Sequence, residues 1–329
     1  MVGSANIGVA NNKGWMFVRL VRFHAHGGPE VLRVEEAEVP TPGPGQLLVR
    51  AEAIGVNFAD TKIRAGAAGI FVRPLPFGPT GDVVGSVAAV GPGVTGFTVG
   101  DRVAALVAEN AYADYALVDA AWAALVPSGL DAASATALPM LAPVAIGVLH
   151  AGRVTAGDTV LIQSAAGGVG HLAVQITKLL GAKAIGVVGS PAKADFVRSL
   201  GADDVITADA EWPTVDVVLD AVGGSSLTRG LDTLAPLGRA VIYGAASGEI
   251  PAVPARSLFG LRSLTGFGIT TLREARPDEA RADIARATRL IADGKLRVAQ
   301  HAAFPLSDVA MAHQVLDDRA NLGRVLLIP

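Results

Sequence analysis

The chain has 329 residues, of which 51% are hydrophobic and 17% are charged, and its formal net charge at pH 7 is −3. This composition is too apolar for a disordered protein, and the length suggests two domains. The small negative charge provides no basic field for nucleic acid, so no nucleic-acid partner is expected. The absence of cysteine excludes disulfides, cysteine nucleophiles and thiolate zinc ligands.

The termini and the apolar stretches argue against a membrane protein or a secreted one. No uninterrupted apolar stretch reaches about 18 residues, so no transmembrane helix is expected. Residues 1–15 contain no basic segment followed by a long apolar core, so no secretory signal is predicted. Their glycine, serine and asparagine residues indicate a flexible extension, and Met16 is a plausible alternative start. We therefore expect a soluble protein of the cytoplasm.

Residues 16 to 126 are typical of a compact β-rich domain. Strands are predicted at 17–23, 31–35 and 46–54, and a short helix follows Asn57. Residues 78–107 are rich in valine and glycine, which predicts short strands separated by glycine turns. Further strands are predicted between residues 111 and 126. Such a pattern favours a small β-barrel.

After Pro127 the pattern changes to alternating strands and helices. Residues 128–151 are predicted to be mostly helical, with Asp131 as the N-cap, and later helices are predicted at 278–294 and at 307–316, with Ser307 as the N-cap. Short apolar strands alternating with helices predict an α/β fold with a doubly wound parallel sheet. The predicted strands are 159–163, 184–188, 204–206, 215–220, 239–243 and 263–266, with a terminal strand at 324–328.

One turn in this second half points to a nucleotide. Residues 164–170, Ser-Ala-Ala-Gly-Gly-Val-Gly, lie between a predicted strand and a predicted helix that ends at Gly181. They follow the pattern G-x-G-x-x-G with Ala165 in the first position. Small residues let the backbone approach a pyrophosphate, and the helix N-terminus offers it N–H groups. Alone this motif is weak evidence, because glycine-rich turns occur by chance in an alanine-rich chain.

The residues after the second strand favour NADPH over NADH. An acidic residue at this place would bind the ribose hydroxyls of NAD, and none follows Val188. Ser190 can donate a hydrogen bond, and Lys193 can place an ammonium on the additional phosphate of NADP. Alternatively, Ser190 merely caps the next helix and Lys193 is solvated.

Seven segments together resemble the zinc-independent quinone oxidoreductases of the zeta-crystallin type, within the medium-chain dehydrogenase/reductase superfamily. The resemblance extends from about Phe23 to the C-terminus. The segments are His24-Ala-His-Gly-Gly-Pro-Glu-Val-Leu32, Ile54-Gly-Val-Asn57-Phe-Ala-Asp60, Gly81-Asp-Val-Val-Gly85, Val99-Gly-Asp-Arg-Val103, Ala165-Ala-Gly-Gly-Val-Gly170, Val217-Val-Leu-Asp-Ala-Val-Gly-Gly224 and Gly323-Arg-Val-Leu-Leu-Ile-Pro329.

This resemblance implies a Rossmann sheet inserted into a β-rich GroES-like barrel. The barrel, or substrate domain, would comprise residues 16–139 and 272–329, and the dinucleotide-binding domain residues 140–271. NADP(H) would lie in the cleft between the domains. The resemblance also implies a homodimer, formed through edge strands of the cofactor domain.

The resemblance further assigns individual residues to the cofactor. Asn57 matches the asparagine beside the nicotinamide ribose, and Ser190 and Lys193 match positions at the adenosine 2′-phosphate. The remaining matches lie at the pyrophosphate (Ala166, Gly167, Gly168, Val169 and Gly170) or around the nicotinamide half (Val222, Gly244, Ala245, Phe267 and Gly268).

Several departures from related proteins matter for the chemistry. Zinc-dependent relatives have a cysteine ligand near Asn57 and a following histidine–glutamate pair, whereas this chain has no cysteine and has Asp82 in place of the glutamate. No metal, catalytic or structural, is therefore predicted. Lys62 stands where many quinone reductases have a tyrosine, Pro143 replaces a threonine, and Ala208 replaces a tyrosine.

The predicted function is an NADPH-dependent hydride transfer to a quinone or an α,β-unsaturated carbonyl compound without a metal. A developing oxyanion then needs hydrogen-bond donors or solvent. Lys62 is the candidate donor, and Asp60 could orient Lys62 or a ribose hydroxyl, so the catalytic prediction is Asn57, Asp60 and Lys62. A solvated lysine and a helix-capping aspartate are equally compatible with the sequence.

Two other functions stay open at this point. An enoyl-thioester reductase would require a pantetheine groove, which the sequence does not show. A non-catalytic NADPH-binding sensor protein would bind the cofactor without turnover. In every case the partner is a small molecule, and no membrane is involved.

Overall fold

The computed structural model describes residues 17–67 and 71–329, so the extension predicted for residues 1–15 lies outside the described residues. The chain divides into two compact units. The first contains the described residues up to Val126 together with Ala303–Asp317 and Leu326–Pro329. The second contains Pro127–Ala302 and Asp318–Val325.

Antiparallel strands dominate the first unit. β1 pairs with β2, and a seven-stranded sheet has the order β14-β15-β3-β4-β5-β7, with β6 also paired to β3. The elements are β1 Phe17–Arg22, β2 Arg33–Glu38, β3 Gln46–Val56, α1 Phe58–Arg64, β4 Gly81–Val90, β5 Arg102–Val107, β6 Tyr115–Asp119, β7 Ala124–Leu125, β14 Gln300–Pro305, α9 Val309–Asp317 and β15 Arg324–Ile328.

The pairing of β3 with β4 shows why this region is rich in small residues. Two register shifts interrupt the ladder, and a Cβ atom on Gly85 would lie 2.0 Å from the carbonyl oxygen of Arg50. The backbones can approach this closely only if residue 85 is glycine. Apolar side chains from these strands, including Val49, Ile54 and Val84, are fully buried and form the core of the first unit.

The second unit is a doubly wound parallel sheet, as predicted. Its six strands have the order β10-β9-β8-β11-β12-β13, and every neighbouring pair is parallel. The elements are α2 Ala132–Ala135, α3 Leu141–Ala151, β8 Thr159–Ile162, α4 Gly170–Leu179, β9 Lys183–Val188, α5 Ala194–Ser199, β10 Asp204–Thr207, β11 Val215–Asp220, α6 Gly224–Asp232, β12 Leu234–Ile242, β13 Ser263–Gly266, α7 Ile269–Ala275 and α8 Pro277–Ala292.

The strands of this sheet are short apolar runs because helices cover both faces. Val160, Leu161 and Ile162 in β8 are completely buried. The helix after the glycine-rich turn ends as predicted, since Gly181 has a φ of +75°, a conformation that favours glycine. Asp131 caps α2 by accepting a hydrogen bond from Ser134 N at 2.8 Å, which confirms that prediction.

Other predicted boundaries differ from the structure. The helix expected over 128–151 is interrupted between α2 and α3, where Pro139 disfavours helical backbone. Ser307 is not an N-cap: it lies in a short 3-10 turn before α9, and its hydroxyl donates to Asp308 Oδ1 at 3.2 Å. In the second compact unit α8 packs on α3 and α7, and the predicted limits of the dinucleotide-binding domain, 140 and 271, stay a prediction.

In the part of the chain that the structure describes, no helix is long and apolar enough to cross a membrane.

Candidate cofactor and active-site residues

A tight turn of small residues joins β8 to α4 in the second unit. Ser164 has a φ of +51°, and its carbonyl oxygen accepts a hydrogen bond from Gly167 N at 2.8 Å. A Cβ atom on Gly170 would lie 2.2 Å from that oxygen, so only glycine fits there. The turn and the first residue of α4 include all five residues predicted for the pyrophosphate: Ala166, Gly167, Gly168, Val169 and Gly170.

The other residues predicted for the cofactor in this unit follow neighbouring strands. Because the carboxyl ends of parallel strands meet at one edge of a sheet, these residues lie at the edge that carries the turn. Main-chain hydrogen bonds connect the segments: Phe267 N donates to Ile242 O at 2.9 Å, and Ser247 N donates to Val222 O at 2.9 Å. The residues at this edge are Ser190 after β9, Val222 after β11, Gly244 and Ala245 after β12, and Phe267 and Gly268 after β13.

Ser190 and Lys193 both have protein partners. The Ser190 hydroxyl accepts a hydrogen bond from Ala192 N at 3.3 Å, as expected for a cap, and its own O–H remains a donor. The Lys193 ammonium donates to the carbonyl oxygens of Arg319 and, at 3.0 Å, Asn321. Burial and the nearby Arg319 lower the pKa of Lys193. The alternative that Lys193 is merely solvated is therefore wrong.

A C-terminal strap, residues 318–325, lies against this edge of the sheet. Gly323 N donates to Ala166 O in the glycine-rich turn at 2.8 Å, and Arg319 Nη2 lies 3.4 Å from Ala246 O. Arg319 and Asn321 were not predicted as neighbours of this edge, because they lie far along the chain from the turn. The terminal motif that begins at Gly323 was their only signal.

Buried polar groups support the turn from within the unit. Gln163, directly after β8, donates from Nε2 to Asp220 Oδ2 at 3.2 Å and accepts from Ser226 Oγ at 2.7 Å. Asp220 Oδ1 accepts from the amides of Val222 and Gly223 at 2.6 and 2.7 Å. Burial raises the pKa of Asp220 in spite of these hydrogen bonds. This network fixes the loop after β11 that contains Val222.

His171, the second residue of α4, is also completely buried and was not singled out from the sequence. Its Nδ1 lies 2.8 Å from Gly167 O, and its Nε2 lies 3.2 Å from Ala299 N. Burial lowers the pKa of His171 to about 4. A neutral imidazole therefore connects the glycine-rich turn to residue 299.

The predicted catalytic residues lie at the start of α1 in the first unit. Asn57 precedes the helix, and its Nδ2 donates to Asp82 Oδ2 at 3.2 Å. Asp82 is completely buried in β4. The residue that replaces the expected zinc-ligand glutamate thus holds the amide of Asn57.

Asp60 is a buried carboxyl group beside these two residues. Its Oδ1 accepts from Thr80 N at 2.9 Å and from Thr80 Oγ1 at 2.8 Å, while Oδ2 is buried with no hydrogen-bond partner among the described residues. Burial raises the pKa of Asp60 to about 7, and the negative charge of Asp82 adds to the shift. This environment therefore favours the protonated form of the Asp60 carboxyl group far more than water does.

Lys62 does not join this cluster. Its ammonium lies over the ring of Phe58, 5.2 Å from the centroid, and forms no ion pair with a carboxylate of the described residues. The hypothesis that Asp60 orients Lys62 is not supported, because Asp60 binds Thr80 instead. Asn57 is the N-cap residue of α1, and the Asp60 carboxyl group, in the first turn, interacts with the main-chain N–H of Asn57, so the alternative that Asp60 caps the helix stays open.

No metal centre is evident within residues 17–67 and 71–329, where no group of three or more histidine, aspartate or glutamate side chains could hold an ion. That the chain contains no zinc stays a prediction, which elemental analysis of the purified protein would test.

Two family models match two separate segments of the chain. Residues 43–128 match the alcohol dehydrogenase GroES-like domain, and residues 168–292 match the family described as zinc-binding dehydrogenase. The matches agree with the β-rich first unit and the parallel sheet of the second.

Similar proteins cover nearly the whole chain. A 2-haloacrylate reductase from Burkholderia is 36% identical, over 93% of this chain and 98% of the relative. A quinone oxidoreductase from Pseudomonas aeruginosa is 34% identical, over 94% of this chain and 99% of the relative. Among solved structures, an Escherichia coli quinone oxidoreductase complexed with NADPH is 33% identical, with a TM-score of 0.86 over 94% of this chain and 100% of that chain.

Proposed function

The chain belongs to the zinc-independent quinone oxidoreductases of the medium-chain dehydrogenase/reductase superfamily, and we propose that it uses NADPH to reduce a quinone or an α,β-unsaturated carbonyl compound. The observation that carries the proposal is the glycine-rich turn at residues 164–170, which joins β8 to the N-terminus of α4. This geometry presents main-chain N–H groups to a pyrophosphate. The segments after β9, β11, β12 and β13 extend the same edge.

The choice of NADPH rests on the residues after β9. No carboxylate stands there to bind the two ribose hydroxyls of NAD. Lys193 uses two carbonyl oxygens as acceptors, so one of its three N–H donors is available for a phosphate, and Arg319 adds a second positive charge. Ser190 retains its hydroxyl donor. These groups favour an additional phosphate on the ribose.

When bound, NADPH supplies the hydride, and the chain's own residues position the reactants. We assign Asn57 to the cofactor ribose, and Asp82 holds its amide in place. Lys62 is the candidate donor to the oxygen on which negative charge develops, since its ammonium forms no ion pair with a described carboxylate. Asp60 is better suited to hold a proton near Asn57 than to contact Lys62.

The names of two similar proteins support the proposed substrate class. One is a quinone oxidoreductase, and the other is a 2-haloacrylate reductase, whose named substrate is an alkene conjugated to a carboxylate. Both substrates accept a hydride at a carbon conjugated to a carbonyl or carboxylate group. This shared feature supports quinones and α,β-unsaturated carbonyl compounds as the substrate class.

A homodimer is the second part of the proposal. Among the strands of the described residues, β13 pairs only with β12 and is therefore an edge strand of the parallel sheet. Next to it, the side chains of Phe259 and Leu261 are exposed, at 84% and 74%, and Leu237 in β12 is exposed as well. An exposed edge strand flanked by apolar side chains suits pairing with a second copy. Analytical ultracentrifugation should show a dimer that Phe259→Asp weakens; a wild-type monomer would contradict this.

The test of the enzymatic proposal is an NADPH-oxidation screen of the purified protein. The panel contains quinones, simple enones, 2-chloroacrylate and an enoyl thioester, with NADH as the matched cofactor control. We expect turnover with NADPH, at least tenfold faster than with NADH at equal concentration, on a quinone or an enone. Turnover on the thioester alone would favour an enoyl-thioester reductase. NADPH binding without turnover on any compound would favour a sensor protein.

A further inference from the structure

We infer that His171 is a positioning residue for the glycine-rich turn, and that it thereby contributes to the affinity for NADPH without contacting the reacting atoms. The inference rests on the proposed function for its effect on NADPH. Its structural part concerns the order of residues 164–170, which is measurable without any ligand.

The partners of His171 define its tautomer. Gly167 O can only accept a hydrogen bond, so Nδ1, at 2.8 Å, carries the proton and donates. Ala299 N can only donate, so Nε2, at 3.2 Å, is unprotonated and accepts. Gly167 O also accepts the main-chain N–H of His171 at 3.1 Å. Both lone pairs of this carbonyl are therefore used, and the orientation of the Gly167 peptide is fixed.

Gln175 lies one helical turn after His171 and binds the same segment. Its Oε1 accepts from Arg297 N at 2.8 Å, and its Nε2 donates to Arg297 O at 2.9 Å. Residues four apart share a face of a helix, so His171 and Gln175 hold residues 297–299 together. Of these two residues, His171 is the one whose side chain also binds the turn.

A closed ring of hydrogen bonds results, and His171 is its one side-chain member. The ring passes from Gly167 through His171 to Ala299, whose carbonyl oxygen accepts from Arg324 N at 2.8 Å. The C-terminal strap then returns to the turn, since Gly323 N donates to Ala166 O at 2.8 Å. Loss of the imidazole would open this ring at the peptide that faces the proposed pyrophosphate.

Three substitutions separate the two hydrogen bonds of the imidazole. His171→Leu removes both bonds at similar volume. His171→Asn places an amide N–H near the position of Nδ1 and can keep the bond to Gly167. His171→Gln places an amide oxygen near the position of Nε2 and can keep the bond to Ala299. Gln175→Leu is the matched control, because it loosens residue 297 and leaves the turn bonded.

The measurements are the Kd for NADPH by fluorescence titration, the free energy of unfolding by denaturant, and amide hydrogen exchange of residues 166–170 without ligand. We expect His171→Leu to weaken NADPH binding by about tenfold and to speed exchange in the turn. His171→Asn should recover most of the affinity, whereas His171→Gln should resemble His171→Leu. Gln175→Leu should lower stability with less than about a twofold change in Kd.

The outcomes distinguish this inference from the proposed function. If the wild type binds NADPH and His171→Leu binds it equally tightly with unchanged exchange, the inference is wrong and the proposed function stands. If His171→Gln recovers affinity better than His171→Asn, the link to Gly167 is also refuted. If the wild type binds no NADPH, the proposed function fails, and exchange in residues 166–170 still decides whether His171 orders the turn.

Discussion

The proposed cofactor edge of the second unit and the cluster around Asn57 in the first are built from different parts of the chain. The turn at residues 164–170 is shaped by main-chain contacts, such as the bond from Gly167 N to Ser164 O. The Asn57 cluster is shaped by side chains, in which Asp82 holds Asn57 and Thr80 holds Asp60. A main-chain site demands particular small residues in a fixed order, whereas a side-chain site depends on contacts between distant residues.

Burial also shifts the pKa of one buried residue in each region, in opposite directions. It lowers the pKa of His171 to about 4 and raises the pKa of Asp60 to about 7, because in both residues it disfavours the charged form. The neutral histidine is secured by two main-chain partners. The Asp60 carboxyl has one buried oxygen with no hydrogen-bond partner among the described residues. Of the two groups, Asp60 in the first unit is therefore the one whose pKa lies nearer to neutral pH.

The largest expected effect is on the side-chain network of the first unit. The buried Arg64 guanidinium donates to Asp317 Oδ2 at 2.6 Å, His313 Nδ1 at 3.2 Å and Gly27 O at 3.1 Å. Arg64→Met should lower the free energy of unfolding by about 4 kcal/mol, because the buried guanidinium loses three hydrogen bonds at once, one of them to the buried His313. Chemical denaturation measures the change. In a double-mutant cycle, Asp317→Asn should cost less in the Arg64→Met background; a loss below about 1 kcal/mol for Arg64→Met would show that the network contributes little.

The main-chain site should respond to a single methyl group. In Gly170→Ala the new Cβ would lie 2.2 Å from Ser164 O and 2.9 Å from Ala165 Cα, both backbone atoms that cannot rotate away. We expect a loss of about 3 kcal/mol in the free energy of unfolding and weaker NADPH binding. The matched control is Gly189→Ala, whose Cβ would meet no atom within 4 Å and should leave stability unchanged. Equal stabilities for the two variants would contradict the close packing of the turn.

The smallest expected effect concerns the charge of the buried Asp60 carboxyl group. The pKa of Asp60 rises from its ordinary value of 3.8 to about 7, so between these pH values the folded state holds a proton that the unfolded state has lost. The stability from this group is fully present below pH 3.8 and falls as the pH rises through 7. Asp60→Asn removes this titration.

Asparagine can still accept the two hydrogen bonds from Thr80, and Asp82, the other charged group that shifts Asp60, is unchanged. Asp60→Asn should therefore be more stable than the wild type at pH 5.5 by about 2 kcal/mol, and equally stable near pH 3. Denaturation at a series of pH values measures the difference. Parallel stability profiles for the two proteins would indicate that Asp60 ionises normally.

The sequence predicted the main-chain parts of the molecule well. The alternation of predicted strands and helices correctly indicated the parallel sheet, which has six strands. The order of small residues indicated the turn that ends at Gly170. Both follow from local rules, namely apolar runs for buried strands and glycine where a Cβ atom would collide. The packing of α8 against α3 was not predicted, because it depends on contacts between segments far apart in the chain.

The side-chain contacts could not be predicted. Nothing local indicates that Asp60 binds Thr80 rather than Lys62, or that Lys193 binds the carbonyl oxygen of Asn321. His171 lies directly after the glycine motif, yet its role depends on Ala299. Such pairs become visible only when the fold brings distant segments together.

The strap over the glycine-rich turn has a consequence for how the protein is made. Ala166 and Gly323, which the strap joins, lie nearly half the chain apart, and Lys193 finds its carbonyl partners in the same late segment. Ribosomes synthesise residues 318–325 after all the other residues of the second unit. The parallel sheet can therefore assemble on the emerging chain before the strap covers its cofactor edge. Removal of the strap residues should leave a folded parallel sheet in which the amide protons of the glycine-rich turn exchange rapidly. The last part of the second unit to be synthesised thus completes the cofactor edge.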